Sequence, residues 1–209
     1  WPESVNQHLR YMTNSGGKMP KSILDTIRSK VPDSQFYLMY GLTEAFRSTY
    51  LPPEQLRQRP DSMGKAIPNA EILVVREDGS LCAPHEPGEL VHRGSLVAMG
   101  YWNDPEKTAE RFKPAPTQIA VWSGDQVTRD EEGYLYFVGR KDDMLKTSGY
   151  RVSPTEIEEI IYSSGLVKEA AAIGIPHETL GQAILVIIST ESIEQFHEVD
   201  LMSICKAQL

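Results

Sequence analysis

The chain lacks most of the features that place a protein at a glance. Its two cysteines, Cys82 and Cys205 in 209 residues, stand far apart and fit no metal or redox spacing. That speaks against a disulfide framework or a zinc ribbon. The five histidines show no paired helical spacing of the kind zinc sites take. No apolar run approaches a membrane span, and no signal peptide opens the sequence. Positive charge is the minority sign, with 21 Lys and Arg against 29 Asp and Glu and a net charge of −8. With no basic run interleaved with aromatics, a dedicated nucleic-acid surface is not expected. A local basic pocket for phosphate remains compatible with that balance. Repeats and low-complexity segments are absent. The expectation is a cytoplasmic globular protein, long enough for one large or two modest cores.

What is present has clear local grammar. Leu9 to Met12 predicts a short strand, broken by Asn14-Ser15-Gly16-Gly17. Ile23, Leu24, Ile27 and Val31 recur at helical spacing, which predicts an amphipathic helix over Lys21 to Lys30. The continuous apolar run Phe36 to Met39 reads as a buried strand. This strand, loop, helix, strand order belongs to a layered α/β body. From Met63 to Val138 the texture changes to short strands and Gly/Pro/Asp turns. Asp78-Gly79 predicts a hairpin between Glu71–Val75 and Leu81, and Asp104-Pro105 starts a helix ending near Arg111. Beyond Gly139 a small α+β unit is expected. Its parts are a hairpin turning at Ser148-Gly149, a helix from Thr155 to Ser163 closed by Gly165, two apolar strands (Ala170 to Ile175 and Ile184 to Ser189) and a last helix capped by Asp200. Ser153 and Glu156 read as a capping box with Pro154 at the first helical position.

Three segments concentrate residues suited to chemistry. Tyr40-Gly41-Leu42-Thr43-Glu44 follows an apolar strand. Ser123-Gly124-Asp125 precedes a strand-turn-strand pattern through Glu132-Gly133. Gly139 to Glu158 packs a basic and acidic cluster, a turn and a helix start into one stretch. In order and spacing these resemble the core motifs of the adenylate-forming (AMP-binding) enzymes: acyl-CoA synthetases, peptide-synthetase adenylation domains and firefly luciferases. Gly88-Glu89-Leu90-Val91-His92-Arg93-Gly94 and Gly100 to Thr108 resemble the family too. The stretch from Tyr40 to Phe112 is most similar to acyl-CoA ligases encoded beside exosortase systems in Gram-negative bacteria.

The resemblance implies an α/β and α+β architecture. Residues 1–139 would be the C-terminal part of the family's large domain, with an α/β piece at 1–60 and a β-rich subdomain at 61–139. Residues 140–209 would be its small mobile C-terminal domain. The family's Ser/Thr/Gly-rich phosphate loop and its terminal Gly-Lys segment match nothing in the chain, and Trp1 is no natural start residue. A C-terminal fragment, inactive by itself, is therefore expected.

The implied reaction joins a carboxylate to the α-phosphate of ATP, releases pyrophosphate and passes the acyl group to CoA. Such chemistry needs Mg²⁺ and preorganised donors around a crowded phosphorus. A hydroxyl such as that of Thr43 can donate to an α-phosphate oxygen, and the Glu44 carboxylate can hold Mg²⁺ directly or through water. The family roles of the remaining residues follow the same resemblance. Asp125 and Arg140 would contact the ribose, Tyr40 with Gly41 the adenine, and Gly16 and Gly17 the loop lining the adenine and acyl pocket. Asp142 would be the hinge of the small domain. Lys146 and Gly149 would serve the thioester-forming conformation, with Gly149 beside the CoA thiol. Two other readings share these motifs: an adenylation domain loading a carrier-protein thiol, and an adenylate-binding module without turnover.

Overall fold

A computed structural model describes residues 8–17, 19–115, 118–148, 150–191 and 196–208. The chain divides into two compact units, Trp1–Phe137 and Val138–Leu209.

The first unit opens with strand β1 (Tyr11–Asn14), helix α1 (Lys21–Lys30) and strand β2 (Gln35–Leu42). β1 sits two residues beyond its predicted place and pairs parallel with β2, Tyr11 opposite Gln35. A parallel pair needs a crossover, and α1 supplies it. Helix α1 has the predicted bounds and buries Leu24 against Phe36, Leu38, Leu51, Leu56 and Tyr134. Each such side chain contributes about 1.5–3 kcal/mol by leaving water. The apolar run of β2 is not buried on both faces. Phe36 and Leu38 enter this core while Tyr37 and Met39 lie half-buried opposite, because a strand alternates its side chains whatever the run's composition.

Strands β3 (Ala45–Leu51), β4 (Ser62–Ala66), β5 (Ala70–Val75) and β6 (Gly88–Gly94) follow. Next come helix α2 (Pro105–Arg111) and strands β7 (Phe112–Pro114), β8 (Ile119–Arg129) and β9 (Leu135–Arg140). They extend the sheet in the order β1-β2-β3-β4-β9-β8-β6-β5, with β7 on β8. The Asp78-Gly79 turn forms, but it leads only to a single bridge between Val75 and Leu81. The partner of β5 is β6, from Val75 opposite Glu89 to Ala70 opposite Gly94. Leu81 has too few extended residues behind it to build a strand, so the longer run wins. Helix α2 starts as read, with the Asp104 carboxylate accepting from the Lys107 amide.

The second unit holds a hairpin of β10 (Leu145–Thr147) and β11 (Tyr150–Val152), helix α3 (Pro154–Ser163), the long pair β12 (Glu169–His177) and β13 (Gly181–Ser189), and helix α4 (Glu198–Gln208). Leu145, Ile157, Ile161, Ala172 and Leu201 form its core. The capping box does not close: Ser153 stands at the N-cap with Pro154 after it, but its hydroxyl makes no cap bond and is buried without a partner. Asp200 lies inside the first turn of α4 rather than capping it. On the β12–β13 pair, Ala172 and Val186 face the core, whereas Ile173, Ile175, Leu185 and Ile187 line the outer face and are exposed. Among the described residues no helix is long and apolar enough to cross a membrane.

Candidate active site

Two residues, Thr43 and Glu44, connect β2 to β3, with Leu42 opposite Ala45 closing the hairpin. The turn is tight and irregular. Its register shifts between Tyr40 and Leu42, and Arg47 adopts a left-handed φ of 50°, uncommon for a residue with a side chain. Gly41 makes this possible: a Cβ there would lie 2.2 Å from the Arg47 nitrogen. Thr43 is exposed at the tip and Glu44 half-buried. The Glu44 carbonyl accepts from the Ala98 amide at 2.8 Å, and its carboxylate accepts from the Tyr101 hydroxyl.

Asp125 sits on β8 and is only 8% exposed. The pairing of β6 with β8 jumps from Glu89–Gln126 to Val91–Trp122, so Ser123, Gly124 and Asp125 form a bulge opposite Leu90. Bulges re-aim a side chain, and this one is pinned. The Ser123 hydroxyl donates to the Leu90 carbonyl at 2.7 Å and accepts from the Asp125 amide at 3.0 Å. The Gly124 amide donates to Glu89 Oε1 at 3.1 Å. Tyr40 donates its hydroxyl to the Asp125 carboxylate, so two of the expected residues meet. The Tyr40 ring stacks on His92 with centroids 5.9 Å apart and planes 12° from parallel.

His92 is fully buried, and neither ring nitrogen has a hydrogen-bond partner. Burial pushes its pKa down to about 4, so the imidazole is neutral. Its segment, Gly88 to Gly94, resembles the family, but no local pattern singles out His92 as the ring beneath Tyr40. Tyr101 escapes sequence reading for another reason: it stands 57 positions from Glu44. Burial first, then the hydrogen bond to Glu44, pushes its phenol up to about 12, so it remains a donor at neutral pH.

Gly16 and Gly17 follow β1, and β1 and β2 run parallel. The glycine bend therefore lies at the same end of the sheet as Tyr40 and Gly41, where open α/β sheets bind ligands. Gly16 has a left-handed φ of 98°, while a Cβ at Gly17 would meet nothing within 4 Å. In the second unit, Arg140 ends β9 and is exposed. Asp142 is exposed in a turn closed by the Asp143 amide on the Arg140 carbonyl at 3.1 Å. Lys146 lies on β10 with an exposed side chain, and its amide donates to Gln182 Oε1 at 2.7 Å. Gly149 lies outside the described residues.

Among the described residues no cluster of three or more His, Cys, Asp or Glu could cage a metal. Glu44 offers a single half-buried carboxylate beside an exposed hydroxyl. That suits Mg²⁺, which takes one or two carboxylates and completes its shell with water and substrate phosphates.

Comparison with known proteins identifies the family. The model of the AMP-binding enzyme family matches residues 2–102, and that of the AMP-binding enzyme C-terminal domain matches residues 156–209. The chain belongs to the AMP-binding enzyme family. It is 34% identical to the long-chain-fatty-acid–CoA ligase of Escherichia coli O157:H7, over 94% of this chain and 34% of that ligase. The o-succinylbenzoate CoA synthetase of Bacillus subtilis, solved with its acyl-adenylate intermediate, superposes with a TM-score of 0.85 at 27% identity. That match covers 96% of this chain and 40% of the synthetase. The same synthetase with ATP and magnesium ion gives a TM-score of 0.84 at 26% identity, covering 99% of this chain and 43% of that one. The chain thus spans about a third of the ligase and two fifths of the synthetase.

Proposed function

We propose that this chain is part of an ATP-dependent acid–thiol ligase acting in the cytoplasm. A substrate carboxylate oxygen attacks the α-phosphorus of ATP, the bond to pyrophosphate breaks, and an acyl-adenylate forms. The thiol of CoA then attacks the acyl carbon, AMP leaves, and a thioester remains. The observation carrying this reading is the Tyr40–Asp125 hydrogen bond. It ties β2, the strand that leads into the Thr43–Glu44 turn, to the bulged aspartate.

Each residue then has a task its environment suits. Asp125, on a pinned bulge, accepts both ribose hydroxyls, with Arg140 as the second ribose contact. Tyr40 and Gly41 border the adenine, and Gly16 and Gly17 shape the wall between adenine and acyl group. Thr43 donates to an α-phosphate oxygen. Glu44 holds Mg²⁺, which when bound neutralises phosphate charge as it shifts towards pyrophosphate. Residues 140–209 act as the mobile domain about Asp142, bringing Lys146 and Gly149 to the thioester step.

The test is stepwise on the full-length protein. Pyrophosphate release with a panel of carboxylic acids reads the first half-reaction, and CoA-dependent AMP release reads the second. Acid-dependent pyrophosphate release followed by CoA-dependent AMP release is the expected result. Nucleotide binding without either release would leave only an adenylate-binding module.

A further inference from the structure

Helix α2 is hard to explain by packing. None of its seven residues is buried, so it contributes little to the apolar core. What it does is hold Tyr101. Thr108 Oγ1 accepts from the Tyr101 amide at 2.9 Å and donates to the Asp104 carbonyl at 2.7 Å. Lys107 places its ammonium 5.2 Å from the centre of the Tyr101 ring, and Phe112, just after the helix, meets that ring edge-on at 5.9 Å and 82°. The approach to Tyr101 is just as constrained. A Cβ at Gly100 would come within 2.6 Å of Thr108 Cγ2, and its φ of 139° favours glycine. Amide, ring and the segment entering it are all fixed, and the phenol is aimed at one acceptor, the Glu44 carboxylate. The same loop binds the Glu44 backbone through Ala98 and bridges Ala45 through Val97.

We infer that Tyr101 is a positioning residue for Glu44: clamped by Thr108 and helix α2, it orients one carboxylate oxygen and leaves the other to hold Mg²⁺. This rests on the reading of Glu44 given above. A carboxylate on a two-residue turn has free torsions of its own, and ordering it beforehand removes that cost from the binding step. Outer partners of metal-holding carboxylates typically account for about 10–100-fold in metal affinity or activity.

Tyr101→Phe deletes only the hydroxyl and keeps the ring against Phe112 and Lys107. In the full-length protein it should slow acyl-adenylate formation by about 10–100-fold and raise the Mg²⁺ concentration needed. The KM for the acid and the melting temperature should not change. Calorimetric titration of ATP should show loss of the Mg²⁺-dependent gain in affinity, with Mg²⁺-free binding unaltered. Thr108→Val, which loosens the clamp without touching Glu44, should shift the Mg²⁺ dependence in the same direction. In a Glu44→Ala background, Tyr101→Phe should cost nothing further, because residues acting as a unit are not additive. Losses that multiply in the double variant, or a Tyr101→Phe enzyme within about twofold of wild type in rate and Mg²⁺ response, would overturn the inference. Loss in Glu44→Ala with none in Tyr101→Phe removes Tyr101 alone. No loss in Glu44→Ala overturns the role of Glu44 itself, and that of Tyr101 with it.

Discussion

Tyr40 and Asp125 stand 85 positions apart in sequence, yet the phenol of one donates to the carboxylate of the other. The bond fixes the aspartate's orientation, and together with the ring stack it joins three strands: β2 carries Tyr40, β8 carries Asp125, and β6 supplies His92 beneath the tyrosine ring.

Removing the carboxylate should therefore be felt mainly in nucleotide binding. In the full-length protein, Asp125→Ala is expected to weaken AMP and ATP binding by roughly 1.5–3 kcal/mol, the scale of hydrogen bonds to a charged group. Tyr40→Phe keeps the ring on His92 and should cost less. Isothermal titration with AMP reads both, and affinity unchanged in Asp125→Ala would remove the ribose role.

His92 gives stability a pH signature. Its folded-state pKa of about 4 lies below the ordinary 6.5, so in that window the unfolded chain binds the proton more tightly. The contribution is complete above pH 6.5 and fades as pH falls towards 4, by up to about 1.4 kcal/mol per pH unit. His92→Phe keeps a stacking ring and cannot titrate. Denaturant midpoints measured across that window should fall less steeply for the variant, and parallel curves would contradict the assignment.

Gly41→Ala should damage the hairpin directly. Its Cβ would strike the Arg47 backbone nitrogen at 2.2 Å, and backbone cannot step aside as a side chain can. Several kcal/mol of destabilisation, of the order seen for strain at special backbone positions, should accompany loss of acyl-adenylate formation. Thermal unfolding gives the first quantity and pyrophosphate release the second.

The turn carrying Asp142 offers a test of the proposed pivot. Lys141 occupies the second position of the Arg140–Asp143 turn, where proline fits with its fixed φ. Lys141→Pro should stiffen the segment without breaking it. In the full-length enzyme, CoA-dependent AMP release should then fall more than acyl-adenylate formation in single-turnover measurements. Equal losses would count against a pivot here.

Local grammar carried much of the fold into view. Helices α1 and α2 were readable because periodicity and the Asp104-Pro105 start act within a few residues. Pairing was less so. Whether Val75 continues to Leu81 or pairs with Glu89 depends on competition between strands, and no residue near Asp78 records the outcome. Ser153 shows the same limit in miniature: residue type and spacing match a capping box, but packing around the hydroxyl decides whether the bond forms. At the site, the Thr43–Glu44 and Ser123–Asp125 segments were legible as motifs. The bulge that aims Asp125 and the Tyr101 contact to Glu44 were not, since both arise where distant strands meet.

The outer face of the β12–β13 pair has a practical consequence for handling. Ile173, Ile175, Leu185 and Ile187 make one contiguous greasy strip on the small unit. If residues 138–209 were expressed alone, that strip would favour self-association in the test tube. Polar substitutions confined to those four positions would then raise the concentration at which the isolated piece stays dispersed, while leaving its helix-covered side intact.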